Sequence, residues 1–331
     1  MAILSDYLEP KLLDHIFCRN EFTRPSGLYF GISTSAFAED DNGNTAAQKE
    51  PGYDSSGPTY FTDGYSRVKV DHLVKYDATS NNIKNIGGIN FGEAGGSGWG
   101  DIAYWAIFDG SLSTSNMLMH GSFTSAVTVS AGSQFRIGTG DLEIIFPTIL
   151  NNASTTTFSS NNATNSRKWR QQVAYLMGFD NPTSGFYNDV NNYFYFYDQS
   201  STSFFDDALY LAISTTAFPE GLSSAELSGT NYARVNITSK FGDASTSASG
   251  VTTISNTSAI SFPEAGSDWG DIAYWAIFRG SAQSNAYRVD NYTTTLASKE
   301  ALLKGTLTAS KTVNSGDVLR FGIGDFVVTA S

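Results

Sequence analysis

Apolar residues near the start of the chain recur at the three- and four-residue spacing of a helix, and the same pattern returns midway along the chain. The first set comprises Leu8, Leu12, Leu13, Ile16 and Phe17. The second set comprises Trp169, Val173, Leu176 and Met177. Ser5 or Asp6 is a candidate cap for the first segment, because a short polar side chain there accepts hydrogen bonds from the free amides of the first turn. The spacing predicts two short amphipathic helices.

Most of the remaining pattern is that of β-strands. Apolar and other residues alternate from 28 to 32 and from 209 to 213, which predicts half-buried strands. Residues 102–108 and 272–278 are apolar at successive positions, which predicts a central strand covered on both faces. A strand, a turn and a second strand are predicted over 135–144. Several short strands with Gly and Asn between them favour a β-sandwich or jelly roll, with a barrel as the alternative.

The apolar strand at 102–108 is part of a longer internal repeat. The decapeptide WGDIAYWAIF occurs at 99–108 and again at 269–278. Shorter blocks recur around it in the same order, at 28–37 and 209–218, at 65–68 and 232–235, and at 135–141 and 319–325. This order indicates two tandem copies. We predict an all-β protein of two β-sandwich or jelly-roll-like domains, each preceded by a short N-terminal α-helix. The predicted bounds are 1–150 and 166–331, with a Ser/Thr/Asn-rich linker at 151–165.

Charge and cysteine content narrow the classes of function. The 331 residues carry 20 basic and 32 acidic side chains, a net charge of −12, which disfavours binding to nucleic acid. The single cysteine, Cys18, cannot form a disulfide within the chain, and no Cys/His spacing indicates zinc. No secretory signal is recognisable at the start, and no apolar run approaches the roughly 18 residues of a membrane span. We therefore expect no nucleic acid, membrane, cofactor or metal ion among the partners.

The carboxylates of the repeat admit a functional and a structural interpretation. Asp101 and Asp271 follow a Trp-Gly pair, and with Glu93 and Glu264 of the preceding loop they are candidate calcium ligands. The sequence favours turn aspartates that bond nearby backbone amides. Gly-x-Gly-Asp at 138–141 and 322–325 favours a tight turn over a phosphate-binding loop, because no lysine follows it. No set of acid, base and nucleophile is seen to recur, which predicts a protein that is not an enzyme.

Four repeated tryptophans are candidates for sugar stacking. Trp105 and Trp275 lie inside the apolar strands, which favours core packing. Trp99 and Trp269 precede those strands and are the candidate glycan contacts of the two copies.

At these blocks the chain resembles small virion structural proteins of tailed bacteriophages, which are described as head decoration or tail fibre proteins. The resemblance rests on the helix at 7–17, the strand at 28–34, Gly64–Val68, the Trp-Gly-x-Ile block followed by 116–121, and the closing segments at 129–132 and 135–144. The second copy supplies 302–305 and 311–316 at the corresponding places.

The resemblance implies a virion component made in the cytoplasm of the bacterial host. The first hypothesis is a capsid decoration, or cement, protein on the outer surface of the coat lattice. The alternatives are a tail fibre or tail adaptor subunit and, in another class, a carbohydrate-binding module for host surface glycans. Expected partners are the major capsid protein or tail proteins, together with further copies of the chain in a homo-oligomer. The candidate partner-binding residues are Leu8, Leu12, Ile16, Phe17, Tyr193, Tyr195 and Tyr197.

Overall fold

In a computed structural model of the chain, antiparallel sheets form both halves, so the all-β prediction is confirmed. The structure describes residues 3–18, 22–23, 25–54, 61–71, 73–77, 82–144, 160–165, 208–219, 225–248, 250–279 and 301–330. Within these ranges no helix has both the length and the apolarity that a bilayer crossing requires.

The first copy is built around a five-stranded sheet with the order β1-β8-β7-β2-β3. A three-stranded sheet, β10-β5-β4, and a pair, β6-β9, complete it. The bounds are β1 (Ile3–Leu4), β2 (Tyr29–Ser33), β3 (Val68–Lys69), β4 (Val74–Asp77), β5 (Asn82–Asn85), β6 (Ile89–Glu93), β7 (Gly100–Phe108), β8 (Met117–Val129), β9 (Gln134–Ile137) and β10 (Glu143–Ile144).

The second copy repeats this topology strand for strand. Its sheets have the orders β11-β18-β17-β12-β13, β14-β15-β20 and β16-β19. The bounds are β11 (Ser160–Asn165), β12 (Leu209–Ser214), β13 (Val235–Asn236), β14 (Ser245–Thr246), β15 (Thr252–Ser255), β16 (Ile260–Ser261), β17 (Gly270–Arg279), β18 (Leu303–Val313), β19 (Arg320–Phe321) and β20 (Val327–Ala330). Strand β11 pairs with β18, so the last residues of the predicted linker belong to the sheet of the second copy.

The repeated apolar strand lies at the centre of each large sheet, as predicted. Strand β7 pairs with β8 on one side and with β2 on the other. Its residues Ile102 and Trp105 point into the main core, while Ala106 and Phe108 point to a smaller cluster on the opposite face. Strand β17 is covered on both faces in the same way. Successive apolar residues are therefore needed because both faces of the strand are buried.

The first predicted helix is present, but it is capped differently. Helix α1 (Leu8–Leu13) continues into a π-helical turn at Asp14–Cys18. Its N-cap is Tyr7, which makes no side-chain cap bond. The Ser5 hydroxyl instead donates to the carbonyl of Met117 on β8 at 2.5 Å, so it holds the helix start against the sheet. The second predicted helix lies outside the described residues.

Helix α1 also joins the two copies. It packs against β8 of its own copy and against β15 of the other. Just beyond it, the rings of Phe17 and Phe241 are 4.6 Å apart, and the amide of Ala244 donates to Asp14 Oδ1 at 2.5 Å. Buried residues of both copies form one continuous cluster. The copies are therefore packed together through the N-terminal segment of the first.

Two local features differ from the sequence pattern. The long loop of the first copy contains helix α2 (Gly43–Ala47), which is capped by the Asn42 side chain. The predicted strand-turn-strand at 135–144 is present as β9 and β10, but the two strands pair with β6 and β5 in different sheets. The turn between them therefore carries the chain from one sheet to another.

Candidate functional site

The candidate glycan tryptophans, Trp99 and Trp269, are interior residues. Their exposed fractions are 5% and 3%. The indole N–H of Trp99 donates to the carbonyl of Asp63 at 3.0 Å, and that of Trp269 donates to Thr230 at 3.2 Å. A sugar stacks on an open ring face, and neither indole offers one. The burial of both indoles argues against a glycan contact at these two residues, and the burial of Trp105 and Trp275 agrees with core packing.

The candidate partner-binding residues of the first helix are also placed in the interior. Leu8, Leu12 and Phe17 are buried and belong to the main core. They contribute to the packing between α1 and the sheets, so they do not form an exposed contact surface. The side chain of Ile16 and the residues Tyr193, Tyr195 and Tyr197 lie outside the described part of the structure.

The repeated aspartates of β7 and β17 link neighbouring strands. Asp101 Oδ1 accepts a hydrogen bond from the Thr128 hydroxyl at 2.5 Å, and Asp271 Oδ1 accepts one from Thr312 at 2.5 Å. The partners are side chains across the strand, which differs from the backbone amides expected of a turn. In the described ranges, no three His, Cys, Asp or Glu side chains are grouped so that they could hold a metal ion.

A buried asparagine fastens the Gly-x-Gly-Asp turn in each copy. Asn85 donates to the carbonyls of Gly87 and Gly138 at 2.9 and 2.6 Å and accepts from the Leu142 amide at 2.9 Å. Asn256 makes the same three kinds of bond in the second copy. The glycines thus belong to a clamped turn, in agreement with the structural interpretation.

A buried cluster of glutamate, arginine and tyrosine lies inside the first copy. Arg67 Nη2 and Glu50 Oε1 are 2.6 Å apart, and both side chains are fully buried. The Tyr65 hydroxyl donates to Glu50 Oε2 at 2.5 Å and accepts from the Ile32 amide of β2. The guanidinium carbon of Arg67 lies 3.3 Å from the ring centroid of Phe108. The cluster therefore ties the long loop to both central strands of the sheet.

The same cluster recurs in the second copy. Arg234 Nη2 lies 2.6 Å from Glu226 Oε2 and its guanidinium carbon lies 3.9 Å from the ring centroid of Phe278. The Tyr232 hydroxyl donates to Glu226 at 3.0 Å and accepts from the Ile213 amide. This recurring set of glutamate, arginine and tyrosine, which is an ion pair and contains no nucleophile, was not recognised from the sequence.

The recurrence is not visible in the sequence because the spacing between the glutamate and the tyrosine differs between the copies. Tyr-x-Arg-Val is repeated in the sequence, but the glutamate precedes the tyrosine by 65 − 50 = 15 residues in one copy and by 232 − 226 = 6 in the other. A serine of the neighbouring strand places the loop in both cases. The hydroxyl of Ser33 donates to the carbonyl of Lys49, and that of Ser214 donates to Ala225. Each carbonyl belongs to the residue just before the glutamate.

The electrostatics of the cluster fit an internal fastening. Burial raises the pKa of Glu50, while the Arg67 guanidinium opposes that rise. Burial and the neighbouring Glu50 carboxylate raise the pKa of Tyr65 well above its usual value. A buried carboxylate is tolerated when it is paired and fully hydrogen-bonded. Because both charged side chains are enclosed, the cluster is not open to a substrate, and its chemistry is that of a structural ion pair.

Comparison with protein families identifies the repeated unit. The family described as podophage GP4 fiber I protein gp80 matches residues 3–145 and 199–329. The chain belongs to this family. The gp80 family model matches once in each copy, which confirms the duplication and the resemblance to phage virion proteins. The chain is therefore a virion structural protein that associates with other virion proteins. No curated protein matches the sequence.

Proposed function

We propose that the chain is a subunit of a fibre on a tailed-phage virion. The observation that carries the proposal is the gp80 family match in both copies, since the family description names a podophage fibre protein. The buried Glu-Arg-Tyr cluster fits a structural role, because the charged side chains are enclosed and paired in both copies. The family description names a fibre protein, which supports the fibre alternative over capsid decoration, the first hypothesis from sequence resemblance.

A shared surface suits such a subunit for contact with neighbouring virion proteins. The outer half of β8, residues 122–128, is exposed except for the half-buried Phe123, and 308–312 of β18 is exposed throughout. On the edge away from β7, β8 pairs with β1 only at Met119 and His120. Similarly, β11 pairs with β18 only up to Leu307. No described strand continues either pairing. An open strand edge can accept a strand of another chain.

The regular pairing of β8 with β7 and that of β18 with β17 are interrupted at an equivalent point in the two copies. Between the pairs Ile102–Val127 and Tyr104–Ser122, the chain advances two residues along β7 but five residues along β8. Between the pairs Ile272–Lys311 and Tyr274–Thr306, the chain likewise advances two residues along β17 but five residues along β18. The extra residues form a large bulge, which re-aims a strand. We expect these two segments to carry the contacts of the fibre subunit.

Reconstruction of the intact virion without imposed symmetry tests the location. We expect density for the two-copy unit in a fibre. Density confined to the outer surface of the capsid would overturn the fibre assignment and favour decoration.

Substitution tests the contact surface. We expect Val127→Lys, at a residue that is 49% exposed, to reduce incorporation into virions while the purified protein keeps its fold. The matched control is Ile86→Lys, a residue that is 58% exposed outside the strand edge. Equal incorporation of both variants would argue against the edge of β8 as the contact.

A further inference from the structure

Three carboxylates meet where the first copy touches the second. The Asp6 amide donates to the carbonyl of Glu39 at 3.0 Å, which brings the start of α1 beside the loop that follows β2. The turn between β14 and β15 of the second copy lies beside the same carboxylates. A methyl group added to Gly250 in that turn would lie 3.2 Å from Glu39 Oε2 and 3.5 Å from Asp6 Oδ1. Glu9 of α1 faces the same place and is hydrogen-bonded to Thr252 of β15.

Two oxygens of this acidic cluster, defined by Asp6, Glu9 and Glu39, lack a partner in the structure. They are Glu9 Oε2 and Asp6 Oδ1, and both are buried. The Glu9 side chain as a whole is 3% exposed. A buried polar atom without a hydrogen bond is costly, and a buried charge without a counter-ion is more so. The unpaired oxygens therefore indicate a missing proton donor at the contact between the copies.

The charged groups that act on Glu9 are carboxylates. Asp6 precedes the helix, and Glu39 and Asp40 lie on the neighbouring loop. Strand β15 contributes only Thr252, Thr253, Ile254 and Ser255. Strand β8 carries His120, whose charged neighbours are Asp41 and Lys49. Lys11 of α1 lies over the Tyr7 ring. No described lysine or arginine forms an ion pair with Glu9.

Burial is the main cause that raises the pKa of Glu9 to about 8, Glu39 and Asp6 add to it, and the Thr252 bond opposes it. Burial and neighbouring carboxylates likewise raise the pKa values of Asp6 and Glu39. A protonated Glu9 is neutral and gains an O–H donor. That donor can satisfy a neighbouring carboxylate oxygen.

We propose that this acidic cluster is a proton-operated latch between the two copies, closed while Glu9 holds a proton and loosened when the proton is lost. Glu9 has a pKa of about 8 when packed and an ordinary value of 4.5 when freed. Between those values the opened state releases its proton while the closed state keeps it. The stability of the closed state therefore falls as pH rises through this window and levels off above it.

Hydrogen exchange of the full chain, read by mass spectrometry in peptides covering α1 and β14–β15, tests the latch. Exchange is corrected for the intrinsic effect of pH and measured with a chelator present. From about pH 6.5 to about pH 9, linkage predicts that opening becomes roughly 30-fold more favourable in the parent chain. Glu9→Gln keeps the shape of the protonated side chain and cannot ionise, so its opening should change little over the same range.

The control variant is Glu264→Gln, which removes one exposed carboxylate of the second copy and should follow the parent chain. Equal pH dependence in Glu9→Gln and the parent chain would overturn the proposal. Protection restored at high pH by millimolar calcium in the parent chain, and not in Glu9→Gln, would also overturn it, because the cluster would then hold a cation.

Discussion

Arg67→Ala is the most direct test of the claim that the buried ion pair holds the first copy together. The guanidinium donates to both oxygens of Glu50, and its Nη1 donates to the carbonyls of Gly110 and Leu112 at 3.3 and 2.7 Å. Truncation removes all of these bonds and the stacking on Phe108. It leaves Glu50 buried, with the Tyr65 hydroxyl as its remaining donor.

The structure sets the size of the expected loss. Removing one partner of a buried ion pair costs about 3–5 kcal/mol, because the other charge remains without compensation. Each of the two carbonyls left unsatisfied adds about 1–3 kcal/mol, unless water enters the space. These terms are not additive, so we expect a loss of about 5 kcal/mol. A domain is stable by about 5–15 kcal/mol, so the expected loss is about a third or more of the stability.

Urea unfolding followed by tryptophan fluorescence measures the loss, and three further variants show its cause. Arg67→Lys keeps the charge but lacks the planar fork, so it should recover part of the stability. Glu50→Leu combined with Arg67→Met removes both charges and should be more stable than Arg67→Ala. Arg234→Ala is the matched change in the second copy.

Glu50 also gives the loss a pH signature. Without the guanidinium, the Tyr65 hydrogen bond alone opposes the rise in pKa that burial causes, so folding of Arg67→Ala should favour the protonated carboxyl. The variant should then be less impaired in mild acid and more impaired as pH rises. An Arg67→Ala protein within about 1 kcal/mol of the parent, or a double variant no more stable than the single one, would refute the reasoning.

Three further changes test other parts of the scaffold. Burial lowers the pKa of His120, so the unfolded chain takes up the proton first and stability is lost as pH falls below about 6.5; thermal unfolding of His120→Gln should be less sensitive to acid in that range. Gly305→Ala places a methyl group 2.6 Å from the Trp275 ring and should cost about 1–3 kcal/mol in urea unfolding, whereas Gly96→Ala, which meets no atom within 4 Å, should not. Asn85→Ala removes three hydrogen bonds of the turn and should cost about 3 kcal/mol; an unchanged midpoint of urea unfolding would contradict this expectation.

Local pattern was sufficient to predict the strands and the duplication. Ile102 to Phe108 is apolar at successive positions because both of its faces are buried, and that requirement is visible in the sequence alone. The partner of a strand is not visible in this way. Strands β9 and β10 flank one short turn but enter different sheets, because pairing depends on residues far away in the chain.

The polar clusters escaped prediction for a related reason. Tyr65 and Arg67 are two residues apart and recur as a block, but Glu50 reaches them from a loop of different length from the one that carries Glu226. An ion pair needs only that the atoms meet in space, so loop length is free to vary. Contacts between the copies, such as that of Phe17 with Phe241, leave no signal in the sequence, because such a pair is not part of the repeat.

The two glutamates also change how the differences between the copies are interpreted. The matched blocks of the repeat form the strands of both copies, and the loops between them differ in length. The loop of the first copy contains α2 and the corresponding loop of the second copy is shorter, yet both deliver a carboxylate to the same arginine position. Loop difference alone is therefore no guide to function in this protein. Exposure that both copies share is the better guide, because residues 122–128 of β8 and 308–312 of β18 are largely exposed, whereas Trp99 and Trp269 are buried.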